Sequence, residues 1–206
     1  MIGYYNYTVI LTYLSLISAL FGTHLAFQGN TVGALSCLLL CGAFDSFDGM
    51  VARTKKGRTE EEKKFGIQID SLVDMFSFGI FPAIIGYTMG LKGWIWFCIF
   101  ALYAICAVSR LGYFNVVEEI RQQQTTEKRK YYQGLPVTSS SLIFPLVYFS
   151  KTLCSVGTMR AAYGIVMGIV AILFVVNFKL KKPGLKEILA LLVVGVIIFI
   201  GLIFFS

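Results

Sequence analysis

Long apolar runs dominate this chain and restrict its fold more than any other feature. Seven segments are long and apolar enough to suggest membrane spans: 6–27, 31–53, 67–89, 93–116, 136–151, 158–178 and 185–205. A helix needs about 20 apolar residues to cross roughly 30 Å of hydrocarbon. Inside lipid the backbone polar groups must be satisfied within the protein, which favours helices. The sequence therefore predicts an all-α polytopic transmembrane bundle that forms one domain over residues 1–206.

The composition excludes the soluble and disordered classes. The chain is 57% hydrophobic and 14% charged, whereas soluble domains are about 25% charged. The run 6–27 has no preceding basic residue and no small-residue cleavage site, so we expect it to remain as a span. The run 136–151 is the weakest of the seven because it is short, rich in serine and interrupted by Pro145.

The basic residues predict the orientation of the spans. If the N-terminus is cytoplasmic, 15 of the 18 Lys and Arg residues fall on the cytoplasmic side, and only Lys92, Lys151 and Arg160 fall outside. This split follows the positive-inside rule. We therefore expect an integral protein of the cell membrane with a cytoplasmic N-terminus. The C-terminus should then lie outside, unless 185–205 is not a span. The net charge of +7 is explained by topology and by contact with the lipid bilayer, so we predict no nucleic-acid partner.

Four of the 11 acidic residues lie inside apolar runs, where a charge is costly and usually functional. Asp45 and Asp48 are three positions apart in the second run, and Asp70 and Asp74 are four apart in the third. Each pair therefore shares one face of its helix. With a rise of about 1.5 Å per residue, all four lie within about 12 Å of the cytoplasmic ends of two consecutive helices. The spacing predicts that the four carboxylates meet at one depth.

The predicted carboxylate group suits metal-assisted chemistry at phosphorus. Four acids in a low-dielectric pocket cannot all stay ionised without cations. Oxygen ligands without nearby His or Cys suit hard divalent cations, and paired ions on shared carboxylates favour displacement at phosphorus. The small residues Gly49, Ala52 and Gly66 leave room for a bulky ligand, and Arg53 at the edge suits a phosphate. We therefore expect a metal-dependent enzyme acting on a nucleotide-like phosphate ester.

The sequence around these acids resembles the signature of the CDP-alcohol phosphotransferases. Residues 45–53 read DSFDGMVAR and residues 66–74 read GIQIDSLVD, which match DxxDGxxAR and GxxxDxxxD. The stretches DSLVDMFSFGIFPA from Asp70, SRLGYFN at 109–115 and GLP at 134–136 make the chain similar to the membrane-embedded phosphatidylserine synthases. The similarity covers roughly residues 10–150. The spacer 54–65 is longer than is usual in the family, and we interpret it as an extended cytoplasmic loop.

This resemblance implies a role for each signature residue. Asp45, Asp48 and Asp70 would ligate two divalent cations, Mg²⁺ or Mn²⁺, with Asp70 bridging them. Asp74 would complete the metal site and act as the catalytic general base. The residues expected to line the CDP moiety are Gly49, Ala52, Arg53 and Gly66, with Thr59 and Lys63 as candidates for a contact to the diphosphate.

The resemblance also implies a reaction and its partners. The phosphatidyl group of CDP-diacylglycerol would pass to L-serine, giving phosphatidylserine and CMP, and the protein would be a homodimer. The position of the acids near the cytoplasmic helix ends makes us expect an active site that faces the cytoplasm. Arg110, near the inner end of the fourth run, is a candidate to bind the acceptor carboxylate or a phosphate. Its alternative role is that of a helix-end arginine that reaches the headgroups. The polar run 138–141 either lines a cavity or packs helices together.

Other functions stay open at this point. Sister enzymes use the same donor with glycerol phosphate or inositol phosphate, but a phosphorylated acceptor should need more basic groups than Arg110 alone. A divalent-cation transporter would place such acids near the bilayer midplane between inverted repeats, whereas these acids lie near helix ends. A non-catalytic lipid-binding or scaffold protein would not depend on Asp74.

Overall fold

The structure, a computed structural model, describes residues 3–4, 6–52, 54–55, 57–124, 131–181 and 184–204. It is an all-α bundle with one short two-stranded sheet. The helices are α1 (Ile10–Phe27), α2 (Thr31–Ala52), α3 (Glu60–Asp74), α4 (Phe81–Thr88), α5 (Trp94–Gln124), α6 (Ser140–Phe149), α7 (Val156–Val175) and α8 (Leu185–Phe204). The strands are β1 (Tyr131–Gln133) and β2 (Lys179–Lys181). The predicted fold class is confirmed.

Helices α1 and α2 form a tightly packed hairpin. The turn between them contains Gly29, whose φ of +80° is a conformation that favours glycine. A Cβ added at Gly22 would lie 2.7 Å from the Cβ of Cys37 and 2.4 Å from a ring atom of Phe81. Small residues at this interface therefore allow the two helices and the α4 region to approach closely.

One long helix crosses the bundle as α3, a π-helical segment and α4. The π-helical segment runs over Met75–Ile80 and begins directly after Asp74. Thr59 caps the start of α3: its side chain accepts from the backbone N–H of Glu62, and the Glu62 carboxylate accepts from the backbone N–H of Thr59. This capping box and the acidic first turn fix where the helix begins.

The aromatic part of the core lies between α4, α5, α6 and α7, and α1, α2 and α8 add aliphatic residues to the same cluster. The buried rings of Tyr103 and Phe144 have centroids 5.8 Å apart, and those of Phe144 and Tyr163 are 4.8 Å apart. Two buried tyrosines satisfy their hydroxyls on backbone carbonyls, Tyr103 on Phe78 at 2.6 Å and Tyr163 on Pro82 at 2.9 Å. These bonds attach α5 and α7 to the long helix that carries two of the site aspartates.

Six helices in the described residues are long and apolar enough to cross a membrane. The predicted span 136–151 differs, because α6 has 10 residues with short 3-10 turns at Val137–Ser139 and Ser150–Thr152. Strand β1 precedes this segment and strand β2 follows α7. Because the two strands pair antiparallel, the chain returns to the same end of the bundle after α6 and α7.

Candidate active site

Three aspartates of two consecutive helices form a compact carboxylate cluster. Asp45 of α2 and Asp70 and Asp74 of α3 each offer an oxygen, and these oxygens lie within 4.8 Å of one another. The side chain of Asp48 interacts with that of Asp70, so the fourth predicted aspartate adjoins the same cluster. The spacings of three and four residues place each pair on one helix face, as predicted from the sequence.

The cluster lies where the long helix changes its geometry. The π-helical segment follows Asp74 immediately, and π-turns inside α-helices occur often at functional sites. The hydroxyl of Tyr103 donates to the carbonyl of Phe78, which lies within this segment. The arrangement therefore fixes the helix directly beside Asp74.

The donor set fits a hard divalent cation. All ligand atoms are carboxylate oxygens, which Mg²⁺ and Mn²⁺ prefer. Among the described residues, one oxygen of Asp70 is buried without a hydrogen-bond partner. A buried carboxylate oxygen without a partner is costly, and a cation at the centre of the cluster would satisfy it. The residues present therefore suit a metal bound between α2 and α3.

Two threonines that were not predicted as site residues contact the cluster. The hydroxyl of Thr12 on α1 donates to Asp48 at 3.4 Å, and the side chain of Thr138 interacts with Asp45. A single threonine in an apolar run carries no recognisable signal, so Thr12 was not predictable. Thr138 begins the polar run 138–141, and its contact favours the interpretation that this run lines the site.

Arg110 lies beside the cluster and is 8% exposed. Its charge acts on Asp45, and its guanidinium carbon lies 6.0 Å from the centre of the Phe114 ring. One turn further along α5, Asn115 exchanges hydrogen bonds with Ser71 at 2.8 and 3.1 Å. Helix α5 therefore places the buried guanidinium of Arg110 beside the carboxylates, and it is hydrogen-bonded to α3 next to Asp70.

The predicted CDP-binding residues occupy different positions around the cluster. Gly49 is exposed, and a Cβ there would meet no described atom within 4 Å. Gly66 lies one turn before Asp70, under the guanidinium of Arg58. Arg53 lies outside the described residues, as does the side chain of Ala52, the last residue of α2.

Thr59 and Lys63 lie at the beginning of α3. The Thr59 hydroxyl caps the helix, and Lys63 pairs with Glu60 at 2.6 Å. With a rise of about 1.5 Å per residue, these residues lie about 16 Å and 10 Å before Asp70 along the helix. Arg58, which was not predicted as a site residue, lies against Gly66, four residues before Asp70.

Comparison with known proteins agrees with the signature. The family model described as CDP-alcohol phosphatidyltransferase matches residues 5–199. A protein of Saccharomyces cerevisiae named CDP-diacylglycerol–serine O-phosphatidyltransferase is 34% identical over 113 residues, which are 54% of this chain and 40% of that protein. A Helicobacter pylori (strain J99) protein of the same name is 28% identical over 187 residues, 82% of this chain and 70% of the relative.

The chain is also similar to an archaeal protein. The archaetidylserine synthase of Methanothermobacter thermautotrophicus is 32% identical over 142 residues, 68% of this chain and 57% of the relative. The chain spans less than two thirds of the length of the yeast and archaeal relatives. The names of these relatives all refer to serine.

Proposed function

The chain belongs to the CDP-alcohol phosphatidyltransferase family, and we propose that it transfers the phosphatidyl group of CDP-diacylglycerol to L-serine, giving phosphatidylserine and CMP. The observation that carries the proposal is the convergence of Asp45, Asp70 and Asp74 within 4.8 Å, with Asp48 adjoining them. The names of the yeast and H. pylori relatives support serine as the acceptor.

In this proposal the four aspartates would hold two divalent cations, Mg²⁺ or Mn²⁺. Asp45, Asp48 and Asp70 would be ligands, and Asp74 would complete the set. When bound, the metals supply charge neutralisation for the diphosphate and for the departing CMP. The partnerless oxygen of Asp70 supports this assignment.

Asp74 is proposed as the general base as well as a ligand. It accepts the proton of the serine hydroxyl while that oxygen forms a bond to the phosphorus that carries the lipid. The bond between this phosphorus and the oxygen of the CMP phosphate breaks, and CMP leaves with the bond electrons. The π-helical segment after Asp74, held by Tyr103, keeps the base in place.

The donor is proposed to lie along the faces of α2 and α3 that carry the aspartates. The open space beside Gly49 supports a ligand there, because a side chain at this position would occupy it. Ala52, Arg53 and Gly66 belong to the same signature and are assigned to the CDP moiety. Gly66 is assigned there through the space that it leaves, since a Cβ at this position would lie 2.8 Å from Nη2 of Arg58. From the beginning of α3, Thr59 and Lys63 would reach only the outer edge of such a ligand.

Arg110 is proposed to bind the carboxylate of L-serine. It is buried beside Asp45, so it does not reach out to the lipid headgroups as a helix-end arginine would. A guanidinium pairs well with a planar carboxylate. Its position near Asp45 would bring the serine hydroxyl towards the carboxylate cluster. The active site is proposed to face the cytoplasm, and the protein is proposed to act as a homodimer in the bilayer.

A substrate panel tests this function. Purified protein in detergent or nanodiscs is supplied with CDP-diacylglycerol, Mn²⁺ or Mg²⁺, and one acceptor at a time: L-serine, glycerol phosphate or inositol phosphate. We expect metal-dependent CMP release with L-serine and formation of phosphatidylserine. CMP release with a phosphorylated acceptor and none with serine would show a sister activity. Manganese uptake into proteoliposomes without CMP release would favour a transporter.

A further inference from the structure

Arg58 reaches back over the beginning of α3 and lies against Gly66. A Cβ built at Gly66 would lie 2.8 Å from Nη2 of Arg58. The same Nη2 donates to the backbone carbonyl of Glu62 at 3.1 Å. The guanidinium therefore lies along the face of α3 that Gly66 shares with Asp70, four residues further on.

The local chain explains how Arg58 reaches this position. Gly57 has a φ of +70°, which turns the chain immediately before Arg58. Thr59 then begins α3 as its N-cap, so Arg58 precedes the helix and its side chain folds along the first turns. Glycine at position 66 leaves room for the guanidinium, and any larger residue there would displace it.

We propose that Arg58 binds the diphosphate of the CDP donor, an inference that rests on the proposed function. A guanidinium is a fork of donors that matches phosphate oxygens, and at Gly66 it lies about 6 Å of helix rise from Asp70. A diphosphate held at the carboxylate cluster by its metals would extend along this face towards Arg58.

The position of Arg58 explains why residue 66 is a glycine. Among the described residues outside its own helix backbone, only Arg58 has atoms within 4 Å of a Cβ at position 66. Gly66→Ala should therefore act by pushing Arg58 away, and its effect should vanish when Arg58 is already truncated. The two substitutions should show strong non-additivity, as residues in direct contact do.

Direct binding of CDP to the metal-loaded protein, without any acceptor, tests the proposal. We expect Arg58→Ala to weaken CDP binding about 10- to 100-fold and to raise the KM for CDP-diacylglycerol while the KM for the acceptor stays unchanged. Arg58→Lys should recover only part of the loss. The matched control is Lys64→Ala, which removes a charge from an exposed α3 residue near Glu119 and should leave CDP binding unchanged.

The double variant separates the proposal from a structural role. Gly66→Ala alone should weaken CDP binding about as much as Arg58→Ala, and Arg58→Ala/Gly66→Ala should be no worse than Arg58→Ala. Additive losses, or a lower melting temperature with unchanged CDP affinity, would overturn the assignment of Arg58. A wild-type protein that binds no CDP would instead overturn the proposed function, whereas the wrong acceptor alcohol would leave this CDP measurement unaffected.

Discussion

Asp45 and Asp74 offer carboxylate oxygens within 4.8 Å of each other although they belong to different helices. Asp70 joins the same group, so three acids share a space that a single cation would fill. Like charges this close repel strongly in a low-dielectric environment unless a cation or a proton neutralises them. The bare cluster is therefore a source of instability, and this has measurable consequences for both stability and activity.

Metal binding should stabilise the fold through this cluster. Mg²⁺ or Mn²⁺ at about 100 times its Kd should raise the melting temperature in detergent by roughly 5 °C, because the ion binds only the folded arrangement. The variant Asp45→Asn/Asp70→Asn should melt at or above the temperature of the metal-free wild type, because it removes two repelling charges. It should show no metal-dependent shift. A shift of the same size in this variant would place the metal elsewhere.

Asp74→Asn should abolish most of the CMP release without unfolding the protein. The amide keeps the shape of the carboxyl group but cannot accept the acceptor's proton and is a poorer metal ligand, so we expect a loss of at least about 100-fold in kcat. The measurement is CMP production with saturating CDP-diacylglycerol, serine and metal. The helical circular dichroism and melting temperature should resemble those of the wild type. A folded Asp74→Asn variant that releases CMP at the wild-type rate would show that Asp74 is not the general base.

Gly49→Ala should separate folding from ligand binding. The added methyl group meets no described atom within 4 Å, and alanine is a better helix former by about 1 kcal/mol, so the melting temperature should stay the same or rise. If CDP occupies this space, the KM for CDP-diacylglycerol should rise at least about 10-fold. Gly168→Ala on α7 is the matched control, since its nearest neighbour is Ile99 at 4.0 Å. Equal kinetic effects of both variants would argue against a donor site at Gly49.

The sequence predicted the carboxylate cluster well because helical spacing alone determines which residues share a face. The aspartates of each pair are three or four residues apart, so each pair shares one face once its segment is helical. The two pairs then meet because their helices are consecutive. The serines and Pro145 marked 136–151 as the weakest span, but its division into a 10-residue α6 with a 3-10 turn at each end was not predictable from apolarity. The π-helical segment could not be predicted from the sequence either. The Phe78 carbonyl within it accepts a hydrogen bond from the Tyr103 hydroxyl, which is distant in sequence.

The position of the Arg58 side chain could not be predicted from the sequence either. Its position depends on the positive φ of Gly57 and on the capping box of Thr59 and Glu62, which together direct it along α3. The spacer sequence contains several cations, and nothing in their order distinguishes the one that lies against Gly66. The sequence therefore indicated a basic spacer near the site, and the three-dimensional turn was needed to choose among its members.

Tyr103→Phe should reduce stability and activity together. Loss of the hydroxyl leaves the buried carbonyl of Phe78 without its 2.6 Å bond, at a cost of about 1–3 kcal/mol. Because Phe78 lies in the π-helical segment next to Asp74, we also expect a severalfold lower kcat. Tyr163→Phe is the comparison: it frees the carbonyl of Pro82, further from Asp74, and should lower the melting temperature with less effect on kcat. Equal kcat losses would show that the segment does not position Asp74.

Arg110→Ala should act on the acceptor more than on the donor. Arg110 is 8% exposed and its charge acts on Asp45. Its removal takes away the group proposed to bind the carboxylate of L-serine, and it also takes away a positive charge that offsets the repulsion between the aspartates. We expect the KM for serine to rise by about 10-fold or more, with a smaller change in the KM for CDP-diacylglycerol. Ethanolamine, which lacks the carboxylate, should be used equally poorly by the wild type and the variant. A variant whose serine KM is unchanged while its donor KM rises would assign Arg110 to the phosphates instead.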